Sequence, residues 1–133
     1  MTNQRLSATL AHIAEEFIAS PSEVVIVGAG DCDECAALIA VFPTSHVTAI
    51  DAVPGAVQQA RRRFVSQGVE VLEGDAADIL PTLPRFQVVL VRHPDVDRQP
   101  AGWAHNLTAC AAYLEQGGVI VVTAYTFHEV EWL

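Results

Sequence analysis

The sequence predicts a doubly wound α/β domain, a mainly parallel five-stranded sheet with helices on both faces. Short apolar runs, rich in β-branched residues, alternate with helix-like segments along the chain. Runs without apolar–polar alternation are typical of strands that are covered on both faces. Strict alternation of helices and strands favours parallel strands in one sheet. The 133 residues, 51% of them hydrophobic, suit a single domain over residues 1–133, with no linker or internal boundary.

The first unit consists of a helix, a strand and a second helix. Apolar residues recur at helical spacing over residues 6–18. Pro21 ends this helix, because proline disfavours helical geometry in the residue before it. The β-branched run 24–27 predicts the first buried strand. It leads directly into Gly28-Ala29-Gly30, and residues 33–42 then follow a helix-like pattern.

The second and third predicted strands both end at acidic residues. Residues 46–50 predict the second strand, which ends at Asp51. The next helix begins at Pro54 and continues to about residue 66, since proline is well tolerated in the first turn of a helix. Residues 69–72 predict the third strand, which ends at Asp75.

A short helix, the fourth strand, a long helix and the fifth strand complete the predicted domain. The short helix covers residues 76–80, and residues 86–91 form the fourth strand, followed by Arg92-His93-Pro94. A helix over residues 101–115 stops at Gly117-Gly118, and residues 119–123 form the fifth strand.

The unusual residue clusters all fall where predicted strands end. They are Gly28-Ala29-Gly30, Asp51, Asp75 and Arg92-His93-Pro94. In doubly wound sheets, ligands bind beyond the carboxyl ends of the strands, where the strand order reverses. The sequence therefore predicts a site for a nucleoside-like cofactor at this edge.

Charge and composition exclude several classes of protein. A net charge of −9 and a pI near 4.7 argue against nucleic acid as a partner, because binding to the phosphate backbone depends on clustered cations. No apolar run approaches the roughly 20 residues that a spanning helix needs. The amino terminus shows no secretory signal, and three cysteines make a disulfide framework improbable. We therefore expect a cytoplasmic protein without a membrane or a bound metal.

Together, the glycine turn and the two acids resemble a class I S-adenosylmethionine-dependent methyltransferase, over about residues 24–123. The resemblance implies a Rossmann-like methyltransferase fold and S-adenosylmethionine as cofactor. In that family the glycine turn approaches the methionine part, the acid at Asp51 binds the ribose hydroxyls, and the acid at Asp75 meets the adenine. The implied cofactor-binding residues are Gly28, Ala29, Gly30, Asp51, Ala52, Asp75, Ala76 and Arg92.

The chain departs from the family pattern at several points. Ile26 replaces an acidic residue, Cys32 replaces the third glycine, and Gln87 replaces an acid at the start of the fourth strand. The family's last two strands have no room after residue 123, so the predicted fold is a truncated form. These departures leave open a second hypothesis: a non-catalytic module that binds S-adenosylmethionine or a nucleoside, or an interaction module with the same fold. A nicotinamide dinucleotide is a weaker alternative, because GxGxxG would need glycine at Asp33.

Catalytic candidates follow the fourth strand. His93 could act as a general base near neutral pH, with Asp95 beside it; alternatively, this segment only turns the chain. A base is not required, since the sulfonium is already an excellent leaving group and many methyl transfers need only positioning.

Four further features have structural interpretations. We interpret Cys32 and Cys35 as a loop cysteine and a helix-face cysteine rather than a redox pair, and Cys110 as core. Arg61-Arg62-Arg63 is interpreted as a solvated helix end. Trp103 either lines the mouth of the site or packs on the sheet.

The predicted fifth strand leaves an unpaired apolar edge, which is a liability unless it is covered. We therefore predict a homodimer through the C-terminal strand region. Its apolar residues are Tyr125, Phe127, Trp132 and Leu133.

Overall fold

One parallel sheet organises the chain in a computed structural model that describes residues 3–30, 32–92 and 100–123. Its five strands lie in the order β3-β2-β1-β4-β5. The strands are β1 (Glu23–Val27), β2 (His46–Asp51), β3 (Glu70–Glu73), β4 (Phe86–Val91) and β5 (Leu114–Val122). The α-helices of the described residues are α1 (Asn3–Glu16), α2 (Cys35–Val41), α3 (Pro54–Phe64), α4 (Ala76–Ile79) and α5 (Pro100–Tyr113), and α3 and α4 are each followed by one turn of 3-10 helix. This architecture confirms the predicted fold class.

Side chains from β1 enter two separate apolar clusters. Val24 and Ile26 join the cluster that includes residues of α1, α2 and α3. Val25 and Val27 join the cluster that includes residues of α4 and α5. Successive side chains of a strand point to opposite faces, so a strand buried on both sides needs apolar residues throughout. The two clusters therefore explain why the β1 sequence shows no alternation.

The strand order reverses between β1 and β4. From β1 the chain proceeds outward through β2 to β3, whereas β4 pairs with the other side of β1 and is followed outward by β5. All of these pairings are parallel. The carboxyl ends of β1 and β4 therefore flank the crevice where a doubly wound sheet binds ligands.

The largest departure from the predicted boundaries is at β5, which begins at Leu114, within the stretch predicted as helix, and includes the two glycines predicted to precede the strand. Leu114 pairs with Phe86 and Val119 pairs with Val88, so the register shifts between these two pairs. A Cβ on Gly118 would lie 2.7 Å from the Leu114 side chain and 2.8 Å from the Gln87 carbonyl oxygen. The sequence predicts that Gly118 helps to end a helix, but in the structure it permits close packing within an irregular strand.

Within the described ranges, no helix is long and apolar enough to cross a membrane.

Candidate functional site

The turn after β1 is tied to the end of β2 by its own backbone. The amides of Gly28 and Ala29 both donate to the Ile50 carbonyl oxygen at 3.0 Å. The Gly30 amide donates to Asp51 Oδ2 at 2.8 Å. The turn requires left-handed backbone geometry, with φ of +72° at Gly28 and +60° at Gly30, which glycine adopts without steric cost.

Both glycines are also closely approached by other parts of the chain. A Cβ on Gly28 would lie 3.2 Å from Cη2 of Trp103, and one on Gly30 would lie 2.9 Å from Nη1 of Arg92. The turn therefore brings bare backbone against two side chains that come from the carboxyl end of β4 and from α5.

The carboxylate of Asp51 is held at both oxygens. Besides Oδ2, which accepts from Gly30, Oδ1 accepts from the Val53 amide at 2.8 Å. These two bonds fix the orientation of the carboxylate at the end of β2. Each oxygen of a carboxylate can accept more than one hydrogen bond, so Asp51 can still bind hydroxyl donors.

A cavity of about 500 Å³ opens beside this carboxylate, within the size range of small-molecule sites. It is lined by Val27, Gly28, Ile50, Asp51, Ala52, Val53, Gly74, Asp75, Ala76, Gly102, Trp103, His105 and Asn106. The structure thus brings together five of the predicted cofactor residues: Gly28, Asp51, Ala52, Asp75 and Ala76.

The other described residues of the predicted set lie beside the cavity rather than in its lining. Ala29 is buried in the core, under the turn. Gly30 binds Asp51, and Arg92 lies against Gly30. His93 and Asp95, the candidate catalytic residues, fall outside the described residues.

Asp75 has a structural role in addition to its place in the cavity. It is the N-cap of α4, and its Oδ1 accepts from the Ala77 amide at 3.1 Å. Capping of this kind satisfies one of the unpaired amides at the start of a helix. The side chain is exposed, so the remaining acceptor capacity of the carboxylate faces the cavity mouth.

The start of α5 supplies cavity residues that sequence reasoning missed. His105 and Asn106 line the cavity together with Trp103, whose two interpretations both hold, because it also packs against the α4–α5 cluster. Trp103 and Asn106 are three positions apart on a helix and therefore share a face. This helical spacing, in the helix that follows the fourth strand, is the sequence feature that could have indicated these cavity residues. Val53, 59% exposed, was also missed.

The cysteine interpretation needs correction. Cys32 and Cys35 are joined in a disulfide, with their Cα atoms 5.2 Å apart, and both are buried. The physical reason is a tight turn, closed by the Cys35 amide, which donates to the Cys32 carbonyl oxygen at 3.0 Å; Cys32 itself has a φ of +66°. Cys110 is a buried free cysteine, as predicted. Among the described residues, no group of three or more potential ligands could hold a metal ion.

The arginine run is not simply a solvated helix end. Arg61 donates through Nε and Nη2 to the Val71 carbonyl oxygen, at 3.2 and 2.9 Å. Arg63 pairs with Asp33 at 2.6 Å and lies 5.1 Å from the centre of the Phe64 ring. These arginines therefore connect α3 to β3 and to the loop before α2.

Comparison with known proteins agrees with this geometry. A family model described as "Methyltransferase domain" matches residues 24–118. No curated protein sequence matches the chain. The precorrin-6y C5,15-methyltransferase of Geobacter metallireducens GS-15 has a similar structure, with a TM-score of 0.76 and 21% identity over 99% of this chain and 69% of that chain.

Two further solved structures are similar at comparable levels. CalS10 from Micromonospora echinaspora, an amino pentose methyltransferase solved with S-adenosylmethionine bound, has a TM-score of 0.76 and 23% identity, over 97% of this chain and 53% of that chain. A putative rRNA methylase from Clostridium thermocellum has a TM-score of 0.75 and 17% identity, over 96% of this chain and 75% of that chain. At these identities the likenesses establish the fold.

Proposed function

We propose, since this chain belongs to the methyltransferase domain family, that its cavity binds S-adenosylmethionine for methyl transfer to an acceptor. Membership confirms the predicted methyltransferase-like function and the predicted cofactor. The individual residues assigned below, and their roles, are our proposal.

The single observation that supports this assignment best is the bonding of Asp51. Its carboxylate is oriented by the amides of Gly30 and Val53, and it borders a cavity of suitable size. Two adjacent ribose hydroxyls donate hydrogen bonds, and an ionised carboxylate only accepts them, so the chemistries match. In this arrangement the ribose lies at the end of β2, and the glycine turn lies against the ligand.

The other residues of the cavity divide between the remaining parts of the cofactor. Asp75 and Ala76, at the end of β3 and the start of α4, are placed for the adenine, whose amino group can donate to the Asp75 carboxylate. Val53 and Trp103 supply apolar surface for its rings. Gly28, Ala29, Gly30 and Arg92 lie toward the opposite side, at the ends of β1 and β4.

Methyl transfer requires little from the protein beyond holding the two reactants in the correct relative position. When bound, the sulfonium would supply an activated methyl group to the acceptor, with a neutral thioether, which keeps the electron pair of the carbon–sulfur bond, as the leaving group. The chain's residues orient the two reactants and exclude water. We propose that His93 accepts the proton that a neutral acceptor releases, with Asp95 as the second candidate for this role.

Calorimetric titration with S-adenosylmethionine and S-adenosylhomocysteine tests this function. We expect both ligands to bind, and Asp51→Asn to weaken both about 10- to 100-fold, since a charge-assisted hydrogen bond contributes roughly 1.5–3 kcal/mol. Glu16→Gln, which removes an exposed carboxylate on α1, is the matched control and should leave both affinities unchanged.

Absence of binding by the native protein would contradict the proposed function. Binding without turnover on any acceptor would instead favour the non-catalytic module.

We also propose that the protein is a homodimer through its C-terminal strand region. Among the described residues, β5 is the outer strand and pairs with β4 alone, and an edge strand presents backbone groups with which a second copy can pair.

A further inference from the structure

Arg92 and Glu34 form an ion pair beside the glycine turn, where the strand order reverses. Arg92 Nε donates to Glu34 Oε1 at 2.8 Å. The Arg92 amide donates to the Val27 carbonyl oxygen at 3.0 Å, which fixes its backbone against the end of β1. Its guanidinium reaches over Gly30, with Nη1 2.9 Å from the position of a Cβ on that residue. The pair therefore lies directly against the turn.

Glu34 is unusual for a glutamate because it is only 7% exposed. One carboxylate oxygen binds Arg92, but Oε2 is buried and has no hydrogen-bond partner among the described residues. A buried charged oxygen without a donor is destabilising, and such atoms are rare in folded proteins. A buried carboxylate oxygen without a donor, beside the glycine turn, is therefore a candidate for binding a ligand.

The charges of the amino-acid end of S-adenosylmethionine match this pair. That end carries an α-ammonium and an α-carboxylate. All seven cationic residues of the chain are arginines, and none of them lines the cavity in the described part of the chain. Arg61 and Arg63 extend from α3 and are already bonded to the Val71 carbonyl oxygen and to Asp33. Of the described arginines, Arg92 is the one placed at the turn.

We propose that Glu34 and Arg92 together hold the amino-acid end of the cofactor. The α-carboxylate binds the Arg92 guanidinium, and the α-ammonium donates to Glu34 Oε2. Glu34 also orients Arg92 through the existing bond to Nε. This inference rests on the proposed function, because it extends the ligand from the ribose at Asp51 across the glycine turn. The two charges of the ligand's amino-acid end are thus each met by an opposite charge of the Glu34–Arg92 pair.

Two ligands that differ only at this end provide the test. S-adenosylhomocysteine has the amino-acid end, and 5′-methylthioadenosine lacks it but retains the adenosine and the sulfur. We expect Glu34→Gln and Arg92→Gln each to weaken S-adenosylhomocysteine about 10- to 100-fold, because each removes a charged partner. Both variants should bind methylthioadenosine as the native protein does. Asp51→Asn should weaken both ligands together.

A third ligand separates the two roles. Decarboxylated S-adenosylhomocysteine retains the ammonium and lacks the carboxylate. Glu34→Gln should weaken the binding of this ligand by a larger factor than Arg92→Gln does. Glu34→Gln removes the partner of the ammonium, whereas Arg92→Gln affects this ligand only through the orientation of Glu34. Glu16→Gln serves again as the control, and a thermal unfolding curve accompanies each variant.

Distinct outcomes overturn the inference and the proposed function. Equal weakening of S-adenosylhomocysteine and methylthioadenosine by Glu34→Gln would assign Glu34 to folding and overturn the inference alone. So would unchanged affinity for both ligands. If Glu34→Gln does not fold, Glu34→Asp and Arg92→Lys are compared in the same way, and the same two results overturn it. Failure of the native protein to bind any of the ligands would refute the proposed function itself.

Discussion

At the scale of single residues, Asp51 connects the fold to the proposed chemistry. The same carboxylate that would bind the ribose accepts from the Gly30 and Val53 amides. The glycine turn is therefore shaped by the residue with which it shares the site. Replacement of Asp51 would disturb the turn as well as remove an acceptor, which is why the isosteric Asn is preferred to Ala for its test.

Cys110 provides a residue-scale prediction about pH. Burial raises the pKa of its thiol from 9.0 to about 11. The folded state therefore retains the proton over a pH range in which the unfolded chain releases it. The stabilisation is complete below pH 9 and is lost as the pH rises through about 11.

We expect the free energy of unfolding to fall between these values by up to roughly 1.4 kcal/mol per pH unit from this group. Denaturant unfolding at several pH values measures it, with Cys110→Ala as the comparison. An equally steep fall in Cys110→Ala would contradict the prediction. Native Cys110 should also resist alkylation at pH 8, whereas the unfolded protein should react.

Among single residues, the sequence predicted the acidic residues that follow strands. It did not predict the acidic residue that precedes a helix and reaches the glycine turn only in the folded chain. Asp51 and Asp75 follow predicted strands, so topology alone placed them at one edge. Glu34 had no such signal: it precedes a short helix, and only the fold brings it to Arg92. Ile26, which departs from the family pattern, is fully buried in the core. Any acidic group for the methionine end must therefore come from another element.

At the scale of secondary-structure elements, Gln87 connects the amino-terminal ends of β1 and β4. Its Oε1 accepts from the Ser22 amide, the Ser22 hydroxyl and the Glu23 amide, at 2.9, 3.0 and 2.8 Å. Its Nε2 donates to Glu115 Oε2 on β5. An acid at this position would retain the acceptor but would place a carboxylate against Glu115. The departure from the family pattern at Gln87 thus has a local explanation. It lies at the amino-terminal ends of the strands, away from the site at their carboxyl ends.

This explanation predicts the effect of restoring the acid. We expect Gln87→Glu to lower the free energy of unfolding at pH 7 by roughly 0.5–1 kcal/mol, through repulsion between two partly solvated carboxylates. Adding Glu115→Gln should recover most of this loss, because the amide can donate where the carboxylate could not. Chemical denaturation of the four members of the double-mutant cycle measures the coupling. A coupling energy of zero would show that Glu115 is not the reason for the glutamine.

The elements themselves were largely predictable, and their irregular parts were not. Buried β-branched runs and the prolines at helix boundaries were enough for β1, β2, β4 and α3. The start of β5 was missed because Gly117-Gly118 has the composition of a helix stop, whereas the register shift against β4 depends on a tertiary pairing. The disulfide was missed because it depends on the local turn at Cys32, whose positive φ sequence patterns rarely reveal for a non-glycine residue.

At the scale of the whole molecule, the sheet places the cavity and the proposed dimer interface at different positions. The carboxyl ends of β1, β2 and β3 carry the glycine turn and the two cavity acids, whereas the far side of β4 carries β5 as the outer strand. The cavity and the outer strand β5 therefore belong to different parts of the described surface. A second copy at that strand would leave the cavity accessible.

The homodimer is the prediction that belongs to this scale. An edge strand presents unpaired backbone groups to a neighbour, and β5 spans nine residues, several of them only half-buried apolar residues. We expect light scattering to give a mass about twice the 14.3 kDa of one chain, over roughly a hundredfold range of concentration. Joint replacement of Tyr125, Phe127 and Trp132 by serine should shift the mass toward that of one chain.

Phe17 is the matched control for this experiment. Its side chain is 67% exposed and follows α1, so Phe17→Ser removes a comparable apolar surface away from β5. We expect that variant to remain dimeric, because its aromatic ring plays no part in the proposed interface. A monomer at the highest concentration of the native protein would refute the dimer. Equal loss of dimer in both variants would show that association depends on general surface hydrophobicity rather than on the edge of β5.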